Sequence, residues 1–194
     1  MSEYLNAQPP HAPHKEDYLE TIVIHRKICN ELLSLNTFLM HGAVVAVDGN
    51  AYLFTADSGV GKTTHIRKWL KNIEGCFVVN GDKPLIKITD TQAIACGTPW
   101  RGKEEMGTKT MVPLKAIVLM ERAEKNAINK ITLGQAFAFL LAQTYRPDDE
   151  AKMRKTLQLM QRLNPLVSFW WFQCNNFADD CFDVAYNALM GDPK

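Results

Sequence analysis

The stretch Leu53-Phe54-Thr55-Ala56-Asp57-Ser58-Gly59-Val60-Gly61-Lys62-Thr63-Thr64 constrains this chain more than any other. It reads as a P-loop, a turn whose backbone amides wrap phosphate groups, with the common pattern G-x-x-x-x-G-K-[ST]. Gly61, Lys62 and Thr63 fill its last three positions, and Ala56 stands where the first glycine is usual. Alanine suits that position if its φ is negative. The chemistry explains the residue types. Glycines let consecutive N–H groups turn towards an anion. A lysine reaches the β- and γ-phosphates and a threonine hydroxyl binds magnesium. The helix that follows offers its free N-terminal amides. Asp57, Ser58, Gly59, Val60, Gly61, Lys62, Thr63 and Thr64 are therefore the expected nucleotide-binding residues.

The flanks agree with this reading. Ala51–Thr55 is a short apolar and aromatic run suited to a buried strand. Ile66, Trp69 and Leu70 recur at helical spacing. His65, directly after the threonine pair, is expected to face solvent on the first helical turn. A Gly-Lys turn without a ligand is the plainer alternative.

The rest of the chain bounds the class. A length of 194 residues with 46% hydrophobic residues predicts one α/β domain, here 16–194, after a flexible, proline-rich lead-in over 1–15. The 22 basic and 21 acidic residues nearly cancel and are scattered, which argues against nucleic acid or an anionic membrane as partner. The five cysteines are odd in number and mostly lie in apolar runs, which predicts reduced core thiols and a cytoplasmic protein. No run is long enough to span a membrane.

A helix is expected over 17–35, with Ile24, Ile28, Leu32 and Leu35 on one face. Phe38–Val47 reads as a single strand containing His41, and Asp48-Gly49-Asn50 as a hairpin turn leading into the P-loop strand. Further strands are expected at 76–80, 85–89, 93–96, 114–120 and 166–174. Residues 97–110 form a long loop whose Gly97, Gly102 and Gly107 permit hinge movement. Thr132 and Gln135 predict a capping box. Asp148 is the expected cap of the next helix, and a last helix is expected over 177–190, with Asp179 and Asp180 in its first turn.

Outside the P-loop, Asp82 follows a strand, on the side of the sheet where α/β sites assemble. It can bind magnesium, act as a base, or be a turn aspartate. His41 can be a core histidine or a polar group near the phosphates. Arg101 and Lys103 can neutralise phosphate charge or be solvated loop charges. Trp100 can stack on a base or pack under its loop.

With these residues in place the chain resembles the catalytic domain of HPr kinase/phosphorylase, among the phosphoenolpyruvate-carboxykinase-like P-loop proteins, and especially its small stand-alone bacterial relatives. The likeness rests on M-H-G-A at Met40–Ala43, A-D-S-G-V-G-K-T-T-H at Ala56–His65, N-G-D-K-P-L-I at Asn80–Ile86, G-T-P-W-R-G-K at Gly97–Lys103 and V-P-L-K-A-I-V at Val112–Val118, over about residues 20–190. It implies a single mixed-sheet α/β P-loop domain with helices packed on the sheet. It also implies a kinase that uses ATP and Mg²⁺ to phosphorylate a hydroxyl, usually serine, on a protein, a peptide or a small molecule. On that reading Asp82, His41 and Arg101 are catalytic, and Thr63 and Asp82 hold the metal. The family carries two adjacent aspartates where this chain has Gly81-Asp82. Gly81 and Ala56 favour the alternative, a nucleotide-binding regulatory or scaffold module with a degenerate kinase site.

Overall fold

The computed structural model describes residues 15–191. In chain order it contains α1 (Lys15–Leu32), β1 (Thr37–Leu39), β2 (Ala43–Val47), β3 (Asn50–Thr55), α2 (Lys62–Asn72), β4 (Phe77–Asn80), β5 (Leu85–Ile88) and β6 (Ala93–Cys96). There follow β7 (Met111–Arg122), β8 (Ala127–Ile131), α3 (Leu133–Ala142), α4 (Glu150–Gln161), β9 (Ser168–Cys174) and α5 (Cys181–Met190). The lead-in expected over 1–15 lies outside the described residues except for Lys15, which opens α1. No helix among the described residues is long and apolar enough to cross a membrane.

The alternating side-chain directions of β2 and β3, both buried on two faces, explain the layers. Ala43, Val45 and Val47 face one side with Tyr52 and Phe54, packing against Ile66 and Trp69 of α2 and Cys181, Ala185 and Leu189 of α5. Val44, Ala46, Ala51 and Leu53 face the other, packing with Leu133, Ala136 and Leu140 of α3 and Leu159 and Met160 of α4. A strand buried on both faces has no polar side to show, so these strands read as continuous apolar runs. Asp48 (φ 49°) and Gly49 (φ 74°) both take the left-handed conformation that a two-residue hairpin needs. Val47 pairs with Asn50 across the turn.

The sheet is mixed. β3 lies parallel to β7, and β7 parallel to β9, while β2 is antiparallel to both β3 and β4. It follows that β3, β4, β7 and β9 all run the same way and end at one edge. β2 starts at that same edge. The twelve-residue β7 pairs with β6 at its first residues and with β9 further along, so β1, β5 and β6 form a wing on its early half.

Several sequence expectations are corrected. The strand expected over 38–47 is broken between β1 and β2, because His41 N–H is bound to the Gln143 carbonyl (2.7 Å) and Gly42 N–H to the Asp82 carbonyl (2.9 Å). The apolar face expected of α1 is not its packing face. Ile24 and Ile28 stand 49% and 38% exposed, Leu32 is half-buried and Leu35, past the helix's end, is 62% exposed, whereas Cys29 in the helix and Leu33 just beyond it carry the burial. Asp149, not Asp148, caps α4, accepting from Lys152 N–H. α5 begins at Cys181, so Asp179 lies outside it, Asp180 is its N-cap and Asp183 takes the first turn. The Thr132–Gln135 capping box is present on α3.

Candidate active site

The common edge brings the singled-out residues together by topology. The Ala56–Gly61 turn leaves the end of β3, Asp82 follows β4, His41 precedes β2, and Arg122 closes β7. Ala56 is fully buried and does not have positive φ, whereas Gly59 (83°) and Gly61 (114°) do. Gly61 is the N-cap of α2 and no side chain caps that helix end. The first amides of α2 therefore remain available to an anion. Lys62 Nζ bends back over the turn to the Ala56 carbonyl at 2.8 Å and the Asp57 carbonyl at 3.4 Å. Partial burial draws the Lys62 ammonium below its usual pKa, while Asp82 and Asp57 counteract that. Arg122 Nη2 donates to the Gly59 carbonyl (2.7 Å) and pins the crest of the turn to β7.

In front of the turn lies an open cleft of about 530 Å³, lined by His41, Ser58, Gly59, Gly61, Lys62, Thr63, Thr64, Asp82, Arg101 and Lys103 among others. Its size suits a small-molecule site. Asp57 and Val60 belong instead to a smaller hollow of about 200 Å³ behind the turn, with Leu119, Phe139 and Trp171. The larger cleft is the candidate site, because the cationic, acidic and hydroxyl groups converge there.

Asp82 is held by a buried asparagine that the sequence reading passed over. Asn80, fully buried, accepts the N–H groups of Asp82 (2.9 Å) and Lys83 (2.7 Å) on its Oδ1 and donates to Thr98 Oγ1 (2.9 Å). An asparagine before a Gly-Asp pair is the local signal for such a turn. The Asp82 carboxylate lies 3.4 Å from His41 Nε2. The bond to His41 is the main cause that lowers the Asp82 pKa, helped by Lys83 and Lys62 and opposed by partial burial. The carboxylate is thus held ionised.

Residues 97–110 form the opposite wall. Gly97 sits so close to the Thr108 carbonyl that any side chain would collide, at 1.9 Å for a Cβ. It is a close-approach glycine rather than a hinge. Gly97 N–H is bound to the Thr110 carbonyl and Thr108 N–H to that of Val79, so both ends of the loop are tied down. Arg101 reaches the cleft, its Nε within 3.4 Å of the Thr98 carbonyl. The Trp100 ring lies 4.1 Å from the His25 ring of α1 and so packs beneath the loop. Glu104 is paired with Arg67.

Behind the turn is a second cluster. His65 is fully buried, against the expectation of solvent, because α2 turns it inward with Trp69, four residues on. Its rings of contact are Phe54 at 4.8 Å and Phe172 at 5.1 Å. His65, Cys174 and Cys181 stand close enough together to be a metal-ligand set. The tautomer argues otherwise. Trp69 Nε1–H, a donor only, points at His65 Nε2 (3.0 Å), so the imidazole proton is on Nδ1 and faces Cys181 Sγ (3.5 Å). The Cys174 and Cys181 sulfurs are 3.5 Å apart. Sharing of a proton with Cys174, and the His65 bond, draw Cys181 down, while Cys174 is pushed up. Asn176 joins this cluster to the turn, lying 3.5 Å from Cys181 Sγ and donating to the Gly61 carbonyl at 3.2 Å. All five cysteines are free thiols.

Gln143, after α3, is the other residue the sequence did not point to. Its Nε2 donates to Asp57 Oδ1 (2.9 Å) and its Oε1 lies 2.7 Å from His41 Nδ1. The order Asp57–Gln143–His41–Asp82 is thus continuous from the glycine turn to the acid.

No protein-family model matches the sequence, and no curated protein does. Among solved structures, the Hpr(Ser) kinase/phosphatase from Coxiella burnetii aligns with 79% of this chain and 97% of its own, at 11% identity and a TM-score of 0.46. At that distance the likeness lends no weight to an activity.

Proposed function

We propose that this chain is an ATP-dependent phosphotransferase that acts on a hydroxyl, with a seryl side chain of a protein or peptide, or free serine, as acceptor. One observation carries the reading. A single cleft brings Lys62, Arg101 and the free amides of α2 together with the Asp82 carboxylate, which is paired with His41, while Glu104 on the same cleft is paired with Arg67. Phosphoryl transfer asks for that combination: positive charge around the transferred group, and a proton acceptor beside the incoming hydroxyl.

The donor set fits the groups it would hold. The turn amides, Ser58, Thr64 and Lys62 would bind the triphosphate. Thr63 and Asp82 offer hard oxygen ligands of the kind magnesium takes. When bound, magnesium supplies charge neutralisation on the phosphates. Asp82 orients the acceptor hydroxyl and takes its proton, and Arg101 balances charge on the side facing the loop.

Gly81 bears on the number of acids. A Cβ there would lie 3.0 Å from the Met106 carbonyl and 3.1 Å from that of Arg101. A second aspartate would therefore crowd the backbone of the loop, which leaves Asp82 as the acid of this turn. The alternative, a nucleotide-binding regulatory module, draws on that same missing acid. The domain is read as spanning 16–194 and as working in the cytoplasm.

Incubation with γ-labelled ATP, magnesium, and either free serine or serine-containing peptides tests the reading. Acid-stable labelled phosphoserine, abolished in Lys62→Ala with the fold intact by circular dichroism, is expected. Tight ATP binding with no transfer to any such hydroxyl would overturn it in favour of the regulatory module.

A further inference from the structure

Cys174 and Cys181 take no part in the chemistry of the cleft, yet they are placed to react with each other. Cys174 closes β9 and Cys181 opens α5, so residues 175–180 form one short surface connection between them. Both thiols are buried and their sulfurs stand 3.5 Å apart. A further approach of about 1.5 Å brings two such sulfurs to bonding distance. Cys181 is the better nucleophile. It occupies the first position of α5, whose N-terminus no side chain caps, and His65 Nδ1 faces its sulfur at 3.5 Å. Both neighbours favour the thiolate. The connection above the pair is tied by polar bonds: Asn126 Nδ2 to Asp180 Oδ1 (2.6 Å), Asn175 Nδ2 to the Glu124 carbonyl (3.0 Å) and Lys68 Nζ to the Ala178 carbonyl (3.2 Å). Its phenylalanine, Phe177, is 96% exposed. A segment with so little apolar burial opens locally at small cost, and that opening admits a small oxidant to the sulfurs.

The pair also reaches the glycine turn. Asn176, between the two cysteines, has its Oδ1 3.5 Å from Cys181 Sγ and donates through Nδ2 to the Gly61 carbonyl (3.2 Å). That same carbonyl accepts the His65 N–H at 2.9 Å, the first turn of α2. We infer that Cys174 and Cys181 form an oxidation site, which a hydroperoxide converts to a disulfide, and that the bridge loosens the Gly61 end of the turn through Asn176. The steps balance. The Cys181 sulfur attacks one peroxide oxygen, the O–O bond breaks, and the other oxygen leaves as water. The Cys174 sulfur then attacks the Cys181 sulfenic acid, the S–S bond forms, and the sulfenic oxygen leaves as a second water with the Cys174 proton. The thiols lose two electrons and two protons, and one peroxide becomes two waters. A bridged Cys181 has no S–H to offer Asn176 Oδ1, and drawing the sulfurs together shifts 175–180. Asn176 thereby loses its seat, and its hold on Gly61 weakens. The phosphotransferase reading enters only in the consequence that a looser turn binds ATP less well.

The test uses the full folded chain, treated with hydrogen peroxide, alkylated, digested and mapped by mass spectrometry. A Cys174–Cys181 disulfide is expected, reversed by dithiothreitol, with Cys29 still recovered as an alkylated thiol. Cys174→Ala is expected to stop at the Cys181 sulfenic acid, trapped by dimedone. Without nucleotide, the His65 amide is expected to exchange about tenfold faster in the bridged form than in the dithiol form, and at one rate in both forms of Asn176→Ala. Free thiols at both positions after peroxide treatment of the parent, or Cys181 carried to sulfinic acid without a bridge, would overturn the site. A bridge that leaves His65 exchange unchanged, or speeds it equally in Asn176→Ala, would overturn the link through Asn176. None of these readouts involves ATP, so they decide the inference even if no acceptor is ever phosphorylated.

Discussion

At the scale of single residues, the features legible in the sequence are those whose partners lie close along the chain. Gly61, Lys62 and Thr63 announce themselves because a phosphate-wrapping turn is built from consecutive backbone units. Gln143 does not, because it stands 102 residues from His41 and 86 from Asp57, and a lone glutamine after an apolar helix carries no local signal. Asn176, 115 residues from Gly61, is silent for the same reason. His65 is buried, not solvent-facing, and the local spacing explains it. Its i, i+4 partner is Trp69, and that spacing places both on the buried face of α2. Gly61 gives the sharpest prediction at this scale. Its φ of 114° disfavours any side chain, and a Cβ would come within 2.3 Å of Asn176 Nδ2. Gly61→Ala is expected to lose ATP binding by calorimetry. It is also expected to lose about 1–3 kcal/mol of stability in denaturant titration, the usual cost of a strained backbone position.

At the scale of elements, hydrophobic period fixed the kind of element more securely than its facing or its ends. The apolar stripe of α1 is turned outward at Ile24 and Ile28, because Cys29 in the helix and Leu33 just past its end meet the core. The break between β1 and β2 was invisible because it is imposed by bonds from Gln143 and Asp82, outside the strand itself. α2 carries the phosphate-binding end and is seated by Trp69, which is fully buried against Tyr52, Phe54, Phe182 and Tyr186. Trp69→Ala is expected to cost about 3–5 kcal/mol in a denaturant titration, as large aromatic-to-alanine changes in cores do. The 97–110 loop is anchored at both ends, and its middle is held by the Glu105 N–H bond to the Gly102 carbonyl and by the exposed Arg67–Glu104 pair. Hydrogen exchange is therefore expected to show Gly97 and Thr108 protected with or without nucleotide, and residues 102–105 protected only when ATP and magnesium are added. Slow exchange across 102–105 in the protein alone would mean that the wall is rigid.

At the scale of the whole molecule, the site follows from strand direction. β3, β4, β7 and β9 share one sense, so the turn, Asp82, Arg122 and Asn176 arrive at one edge, and β2 begins there beside His41. The sequence made the hairpin and the apolar strands plain, but not the order of strands, which depends on pairings between distant segments. The account stands or falls on Asp82 as the proton acceptor of a phosphotransferase. Single-turnover transfer from labelled ATP, measured beside ATP affinity in the parent and in Asp82→Asn, addresses that directly. The expected result is a transfer rate lower by about 10²–10⁴-fold, the usual worth of a positioned base, with ATP affinity changed only a few-fold because Lys62 and the turn amides still hold the phosphates. Transfer at the parental rate in Asp82→Asn would contradict it.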